Sequence, residues 1–288
     1  MTYREIYQEG VKVLTEAAIA EAALDARLLL EYVCKTDRNT LLAHGDREVT
    51  GEEQEQYLET IARRAAHVPL QHITGEQEFM GLTFAVNSKV LVPRQDTEVL
   101  VEEVMRNLHD GMRILDMCTG SGCILLSLLQ YSNDCTGVGV DLSPDALAVA
   151  RGNYERIRQQ KPEMEASFLE SDLFTRVEGR YDIIVSNPPY IRSDVIPTLM
   201  PEVRDYEPVM ALDGTEDGLF FYREITKKAK DYLSRGGMLY YEIGCDQAEE
   251  VCAIMETEGF REIEVVKDFA GLDRVVYGSW SGQERRRR

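Results

Sequence analysis

Two short segments of the chain hold residue types that could do chemistry together. Asn187-Pro188-Pro189-Tyr190 follows the apolar run Tyr181-Asp182-Ile183-Ile184-Val185-Ser186, which reads as a strand. An amide nitrogen is a poor nucleophile because its lone pair is delocalised into the carbonyl. A site that alkylates such a nitrogen must orient it and stabilise the positive charge that develops. The side-chain oxygen of Asn187 and the main-chain carbonyl of Pro188 are two neutral acceptors able to hold both N–H bonds of a planar NH2 group. That aims the remaining face of the nitrogen at an incoming methyl. The prolines stiffen the turn and remove competing backbone donors, and Tyr190 offers a ring on which a flat amide or base can stack. Asn187, Pro188 and Tyr190 are therefore candidate catalytic residues, and Asn187, Pro188, Pro189 and Tyr190 candidate substrate-binding residues. A dedicated base is not required, since the proton becomes acidic only as the N–C bond forms. The plain alternative, a Pro-rich turn with a capping Asn, is disfavoured by the loop's position after a strand and in step with a second motif.

That second motif is Ile114-Leu115-Asp116-Met117-Cys118-Thr119-Gly120-Ser121-Gly122-Cys123, an apolar strand running into a small-residue turn that opens a helix. Gly120 and Gly122 let backbone approach a ligand, and N–H groups at a helix start can donate to it. A dinucleotide fingerprint would place another glycine where Leu125 stands, so the match to a nicotinamide cofactor is incomplete. Asp141 ends the strand Val138-Gly139-Val140 and can accept hydrogen bonds from ribose hydroxyls. Asp172, in Ser171-Asp172-Leu173-Phe174, can reach an adenine amino group while Leu173 flanks the ring. The ordinary alternatives are a solvated strand-end acid for Asp141 and a helix cap for Asp172. An acid placed as Asp141 is serves a nicotinamide cofactor and S-adenosylmethionine equally, so by itself it does not choose between them.

The elements that must position these residues form an alternating pattern. Strand-like segments at 113–117, 136–140, 166–169, 181–186 and 238–243 are separated by helix-like segments from about Gly122, after Pro144 and from Asp217 to Leu233. Such alternation implies a mainly parallel α/β sheet of Rossmann type covered on both faces. The last two β-like runs, 262–266 and 274–277, suggest an antiparallel edge pair. Upstream, residues 1–70 carry apolar positions at helical spacing (Ile6, Val13, Leu14; Leu24, Leu28, Leu29, Tyr32, Val33; Tyr57, Leu58, Ile61) and read as a small all-α domain. Thr50 and Glu53 fit a capping box, and Pro69 stops the last long helix. Residues 71–93 read as a hinge and β-hairpin around Gly81, and 94–288 as the catalytic domain.

Composition narrows the partners. Thirty-two basic against fifty-one acidic side chains give a formal charge of −19, which repels polyanions and argues against stable nucleic-acid binding. The six cysteines show no C-x-x-C pair and no neighbouring histidine cluster, so neither a disulfide framework nor a metal site is expected. There is no apolar leader and no long apolar run, and a cytosolic, monomeric protein without membrane association is the expectation. The basic run Arg285 to Arg288 reads as a solvated tail.

Several segments together resemble a known family, the N5-glutamine methyltransferases that modify peptide chain release factors (PrmC/HemK type), over nearly the whole chain. Val68-Pro69-Leu70-Gln71-His72-Ile73-Thr74-Gly75 looks like that family's hinge, and Val92-Pro93-Arg94-Gln95-Asp96-Thr97-Glu98 is similar to its Pro-Arg loop, with Gln95 in place of the common proline. Glu202 to Pro208, Ala211 to Gly214 and Asp217 to Leu219 resemble the stretch that follows its NPPY motif. The resemblance implies a class I methyltransferase fold and S-adenosylmethionine as methyl donor, with contacts expected at Cys118, Thr119, Gly120, Ser121, Gly122, Asp141, Asp172, Leu173 and Asn187. It implies a glutamine of a release-factor Gly-Gly-Gln motif as acceptor, received at Asn187 to Tyr190, and Leu173 beside the adenine where some members carry Trp. The rivals are a glutamine methyltransferase of a ribosomal protein, an adenine-N6 DNA methyltransferase, which the negative charge opposes, and a non-catalytic nucleotide-binding adaptor, which the intact Asn187 loop opposes.

Overall fold

The computed structural model describes residues 1–282, so the Arg285–Arg288 run lies outside the described residues. The chain divides into two compact units: Met1–Glu76 with Met200–Tyr206, and Gln77–Leu199 with the remainder from Glu207.

The first unit is helical: α1 (Tyr3–Glu16), α2 (Ala22–Cys34), α3 (Arg38–Ala43), α4 (Gly51–Ala65) and α5 (Leu70–Thr74). Both long outer helices begin with reciprocal capping boxes. In α4 the Thr50 hydroxyl accepts from Glu53 N at 3.1 Å and the Glu53 carboxylate accepts from Thr50 N at 2.7 Å, as the Thr-x-x-Glu spacing suggested. Thr2 and Glu5 do the same for α1. Ile6, Leu14, Leu29, Leu30, Tyr57 and Ile61 form the core. Leu24 and Tyr32, expected on the apolar stripe, turn outward instead, and Ala26 and Leu30 occupy the inner face of α2. One charged pair is buried there: Arg64 Nε donates to Asp25 Oδ2 at 2.7 Å, with both side chains less than a tenth exposed. The same guanidinium donates to Val68 O at 3.3 Å and to Glu202 Oε1 at 3.4 Å.

The second unit opens with the hairpin β1 (Glu76–Phe79) and β2 (Leu82–Ala85). Its two-residue turn puts Met80 and Gly81 at φ 51° and 70°, the left-handed pair that matches strand twist in tight hairpins. Then follow α6 (Glu98–Asn107), β3 (Arg113–Met117), α7 (Cys123–Gln130), β4 (Thr136–Asp141), α8 (Pro144–Ile157), β5 (Glu165–Glu170) and β6 (Tyr181–Ser186). The described chain closes with α9 (Phe220–Tyr232), β7 (Leu233–Glu242), α10 (Ala248–Thr257), β8 (Arg261–Lys267) and β9 (Asp273–Trp280). Among the described residues the main sheet has the order β5-β4-β3-β6-β7-β9-β8. The first five strands run parallel, and β9 runs antiparallel to both of its neighbours.

Successive strand residues feed two separate cores, as a pleated strand requires. Ile114, Ile183, Tyr240 and Val275 join α6 and α7 in one. Leu115, Ile184, Leu239 and Val276 join α9 and α10 in the other. Because both faces are covered, the central strands read as near-continuous apolar runs.

One detail departs from the sequence reading. Strand β7 begins at Leu233 rather than Met238, running through Gly236 at φ 80° with a register irregularity against β6. The paired glycines look like a breaker in sequence but serve as a bulge. The final two strands form the antiparallel edge pair that the sequence suggested, with β9 between β7 and β8, so the later strand carries the earlier one on the edge. No helix among the described residues is long and apolar enough to cross a membrane.

The buried pair yields a test. Arg64→Met leaves the Asp25 carboxylate buried without its partner, and the helical unit should lose about 3–5 kcal/mol. Amide hydrogen exchange in α2 and α4 should accelerate accordingly; unchanged protection there would contradict the assignment.

Candidate active site

The sheet order reverses direction of growth between β3 and β6, and the crevice beyond the carboxyl ends of such strands is where α/β sheets bind ligands. The register sets what meets there. Met117, the last residue of β3, pairs with Ser186, the last of β6, and with Val140 of β4 on the other side. The Ser186 hydroxyl donates across to Met117 O at 2.6 Å. The glycine loop, Asp141 and Asn187 therefore all leave adjacent strands at one level.

The glycine loop is a run of left-handed and turn conformations. Cys118, Gly120 and Gly122 have φ of 63°, 54° and 80°. For Cys118, which carries a Cβ, such a conformation costs about 1–2 kcal/mol, and the loop is tied down at several points. Thr119 N donates to Val140 O at 2.9 Å. The Thr119 hydroxyl donates to Asp116 Oδ2 at 2.5 Å. Gly120 N donates to Asp141 Oδ2 and Ser143 N to Asp141 Oδ1, each at 2.9 Å. Asp141 thus holds the loop in shape, and the carboxylate still has lone pairs free for a ligand. Burial raises its pKa, opposed by the hydrogen bonds from Ser143 and Gly120. Burial also excludes thiolate at Cys118, whose pKa it raises strongly.

Across the crevice, Asn187 donates from Nδ2 to the Thr97 hydroxyl at 3.4 Å. The sequence reading assigns its Oδ1 the task of accepting from a substrate amide. Pro188 and Pro189 are buried. The Tyr190 hydroxyl donates to Glu242 Oε1 at 3.2 Å, and its carbonyl accepts from Gln247 Nε2 at 3.0 Å. The downstream stretch backs this loop directly. Ile191 N donates to Leu212 O at 3.0 Å and Gly214 N to Ile191 O at 2.8 Å. At Gly218, with φ 75°, an added Cβ would come within 2.5 Å of Tyr190 O, so only glycine lets this segment lie flat on the loop. At the rim, Arg94 donates to both carboxylate oxygens of the buried Glu207 at 2.7 Å, clasping the Pro-Arg loop to the segment before Pro208.

These elements enclose a cavity of about 220 Å³. Of the residues singled out from sequence, Cys118, Thr119, Gly120, Ser121, Asp141, Asp172, Leu173, Asn187 and Pro189 line it. Gly122, Pro188 and Tyr190 are not among the lining residues: Gly122 is the N-cap of α7, and Tyr190 is packed against the core beneath α9 and β7. Further lining residues, unmarked in the sequence reading, include Leu142, Thr97 and Phe221. An exposed leucine directly after a strand-end acid was a legible signal for Leu142. Thr97 and Phe221 gave none, since each reaches the cavity from an element distant in the chain. The donor set fits a nucleoside bearing a cationic side chain: a carboxylate for ribose at β4, a second acid at Asp172, and the apolar Leu142 and Leu173 to flank a base.

Comparison with known proteins agrees with this geometry. Residues 5–75 match the family described as PrmC N-terminal domain, and residues 93–200 the methyltransferase small domain. The chain is 46% identical to the release factor glutamine methyltransferase of Clostridium acetobutylicum, covering 88% of this chain and 89% of that one. It is 41% identical to the protein of the same name from Geobacter sulfurreducens, covering 96% of each. In structure, a methyltransferase from Pyrococcus furiosus aligns with a TM-score of 0.52 at 18% identity, covering 77% of this chain and 99% of that one, which places the fold among methyltransferases.

Asp116 provides a measurable signature of the site. Fully buried beneath the loop, its carboxyl is pushed up to about 7 by desolvation, partly offset by the hydrogen bonds of Thr119 and Leu125. The folded state therefore holds a proton that the unfolded chain releases near pH 4. The stability this group contributes is fully present below that pH and is lost as pH rises to about 7. The difference in stability between wild type and Asp116→Asn should shrink progressively over that window in thermal unfolding. A difference independent of pH would reject the assignment.

Proposed function

The chain belongs to the release factor glutamine methyltransferase family, and from that premise we propose how it methylates the side-chain amide nitrogen of the glutamine in the release-factor Gly-Gly-Gln motif. The observation that carries the reading is the pairing of two loops on adjacent strand ends. One is a glycine loop braced by Asp141, and the other is Asn187, whose amide is tied to Thr97 on one side only.

The cofactor site comprises Cys118 to Gly122, Asp141, Asp172 and Leu173. Asp141 accepts the ribose hydroxyls with the lone pairs its loop contacts leave free, Asp172 meets the adenine amino group, and Leu142 and Leu173 flank the ring. When bound, S-adenosylmethionine supplies a methyl group on a positively charged sulfur. The chain's own residues prepare the acceptor. Asn187 Oδ1 and Pro188 O hold the two N–H bonds of the glutamine amide, which fixes its orientation and stabilises the positive charge that develops on its nitrogen. Pro189 walls the approach, and Tyr190 locks the loop through its hydroxyl and carbonyl. The reduced thiols of the described cysteines and the net negative charge suit a cytosolic enzyme whose partner is a protein rather than nucleic acid.

Labelled S-adenosylmethionine incubated with the enzyme and, separately, release factor, ribosomal protein or DNA, with the methyl located by mass spectrometry, tests the whole reading. Label on the Gly-Gly-Gln glutamine is the expected result, and label confined to another acceptor overturns it. Two variants separate the halves of the site. Asn187→Ala should lower turnover by roughly 10²-fold or more with cofactor affinity within a modest factor; near-normal turnover would count against the acceptor role. Asp141→Ala should weaken cofactor binding about tenfold or more in calorimetric titration, from lost charge-assisted hydrogen bonds and a loosened loop; an unchanged affinity would remove Asp141 from the site.

A further inference from the structure

Two large apolar side chains stand open to water at the mouth of the cavity. Val209 and Met210 are adjacent in the chain and 54% and 55% exposed. Met210 lines the cavity, as do Pro208 before Val209 and Ala211 after Met210. Phe220, the first residue of α9, is 41% exposed. It packs edge-on against Phe221, with ring centroids 5.2 Å apart, and Phe221 lines the same cavity. Isolated exposed apolar side chains are ordinary on a protein surface, but neighbouring ones beside a cavity mark a place where something binds.

This rim is held rigidly. Val209–Ala211 form a single 3-10 turn, in which Ala211 N donates to Pro208 O at 2.8 Å and Leu212 N to Val209 O at 2.9 Å. Upstream, Glu207 takes both of its carboxylate bonds from Arg94 at 2.7 Å and a further one from Val92 N at 3.4 Å. Downstream, Leu212 O accepts from Ile191 N at 3.0 Å. These anchors belong to the Pro-Arg loop and to the residue after Tyr190, and none of them to the glycine loop or Asp141. The rim is therefore built from the acceptor half of the crevice.

We propose that Val209, Met210 and Phe220 form the docking rim for the release-factor main chain that carries the methylated glutamine. The inference rests on the glutamine-methylating reading of the Asn187 loop. A glutamine places its amide nitrogen only roughly 5 Å from its own Cα, since three C–C bonds and one C–N bond separate them. With that nitrogen held at Asn187 and Pro188, the Cα and the peptide units on either side must rest at the cavity mouth. The two residues before the glutamine are glycines, and without a Cβ their main chain can come down flat on the rim. An unbranched thioether adapts to such a surface without demanding a fixed hydrogen-bond partner. Covering the rim removes apolar area from water only when the protein substrate is bound. The rim thus supplies affinity for the release factor, while Asn187 and Pro188 align the reacting nitrogen.

The experiment compares wild type with Met210→Ser, Met210→Leu and the double variant Val209→Ser/Met210→Ser in steady-state methylation of the release factor. Calorimetric affinity for S-adenosylmethionine and thermal unfolding are measured on the same samples. Met210→Ser should raise KM for the release factor about tenfold, the scale of one truncated interface anchor. Turnover at saturation and cofactor affinity should stay within about threefold. The double variant should raise KM further, and Met210→Leu, apolar and of similar volume, should remain within about threefold of wild type. Both positions are more than half exposed in the free protein, so the unfolding temperature should hardly move. An unchanged KM in the double variant overturns the proposal. So does a loss of cofactor affinity as large as the rise in KM, which would make the rim a wall of the cofactor site. A Met210→Leu variant as impaired as Met210→Ser also overturns it, because an apolar rim does not depend on sulfur. A wild-type enzyme that leaves release-factor glutamine unmodified refutes the parent reading instead, so the two failures are distinct.

Discussion

The level at which β3 and β6 end side by side governs the rest of the catalytic unit. The Met117–Ser186 pairing, locked by the Ser186 hydroxyl on Met117 O, places the first residue of the glycine loop beside the first residue of the Asn187 loop. A slip of one residue would turn every side chain of β6 to the opposite face. Ile183 would exchange cores with Ile184, and Asn187 would leave the crevice. Register is thus fixed by burial on both sheet faces, and the site inherits its geometry from packing that involves no ligand. The separate cores on the two sides of the sheet are what make that register costly to change.

Around this junction the chain distributes support unevenly. The cofactor side is braced locally, by Asp116, Thr119 and Asp141 acting within and beside one loop. The acceptor side is braced from afar. Thr97 comes from the turn before α6, Glu242 from the end of β7, Gln247 from the start of α10 and Gly214 and Gly218 from the segment before α9. A nucleotide loop can be specified by a few contiguous small residues. An aimed amide needs a rigid shell, and rigidity in three dimensions requires contacts from several directions.

That asymmetry explains what the sequence disclosed. The alternation of strands and helices, the helical first unit and its Thr50–Glu53 cap were legible because each is a local pattern. So were the glycine loop, Asp141 and the Asn187 loop, which sit at strand ends where apolar runs stop. Strand β9 slotting between β7 and β8 was not legible, because strand adjacency in sequence does not fix order in a sheet. The first residues of β7, which run through Gly236, were not legible as strand, since glycine breaks one kind of strand and bends another. Thr97 carried only its place in the Pro-Arg loop, and Glu242 no marking at all. A buried threonine and a buried glutamate acquire meaning only from what faces them. Tyr190 reads by residue type as a ring for stacking, and only the fold shows it packed against the core with its hydroxyl on a carboxylate.

The electrostatic character of the crevice follows from the same arrangement. Asp116, Asp141 and Glu242 are acids whose pKa values burial raises, and the charge of Asp141 raises that of Asp116 further. Gathering carboxylates in a desolvated pocket is unfavourable for the protein alone. It becomes favourable where the ligand is a cation, because a positive charge at the mouth of the loop relieves both the desolvation and the mutual repulsion.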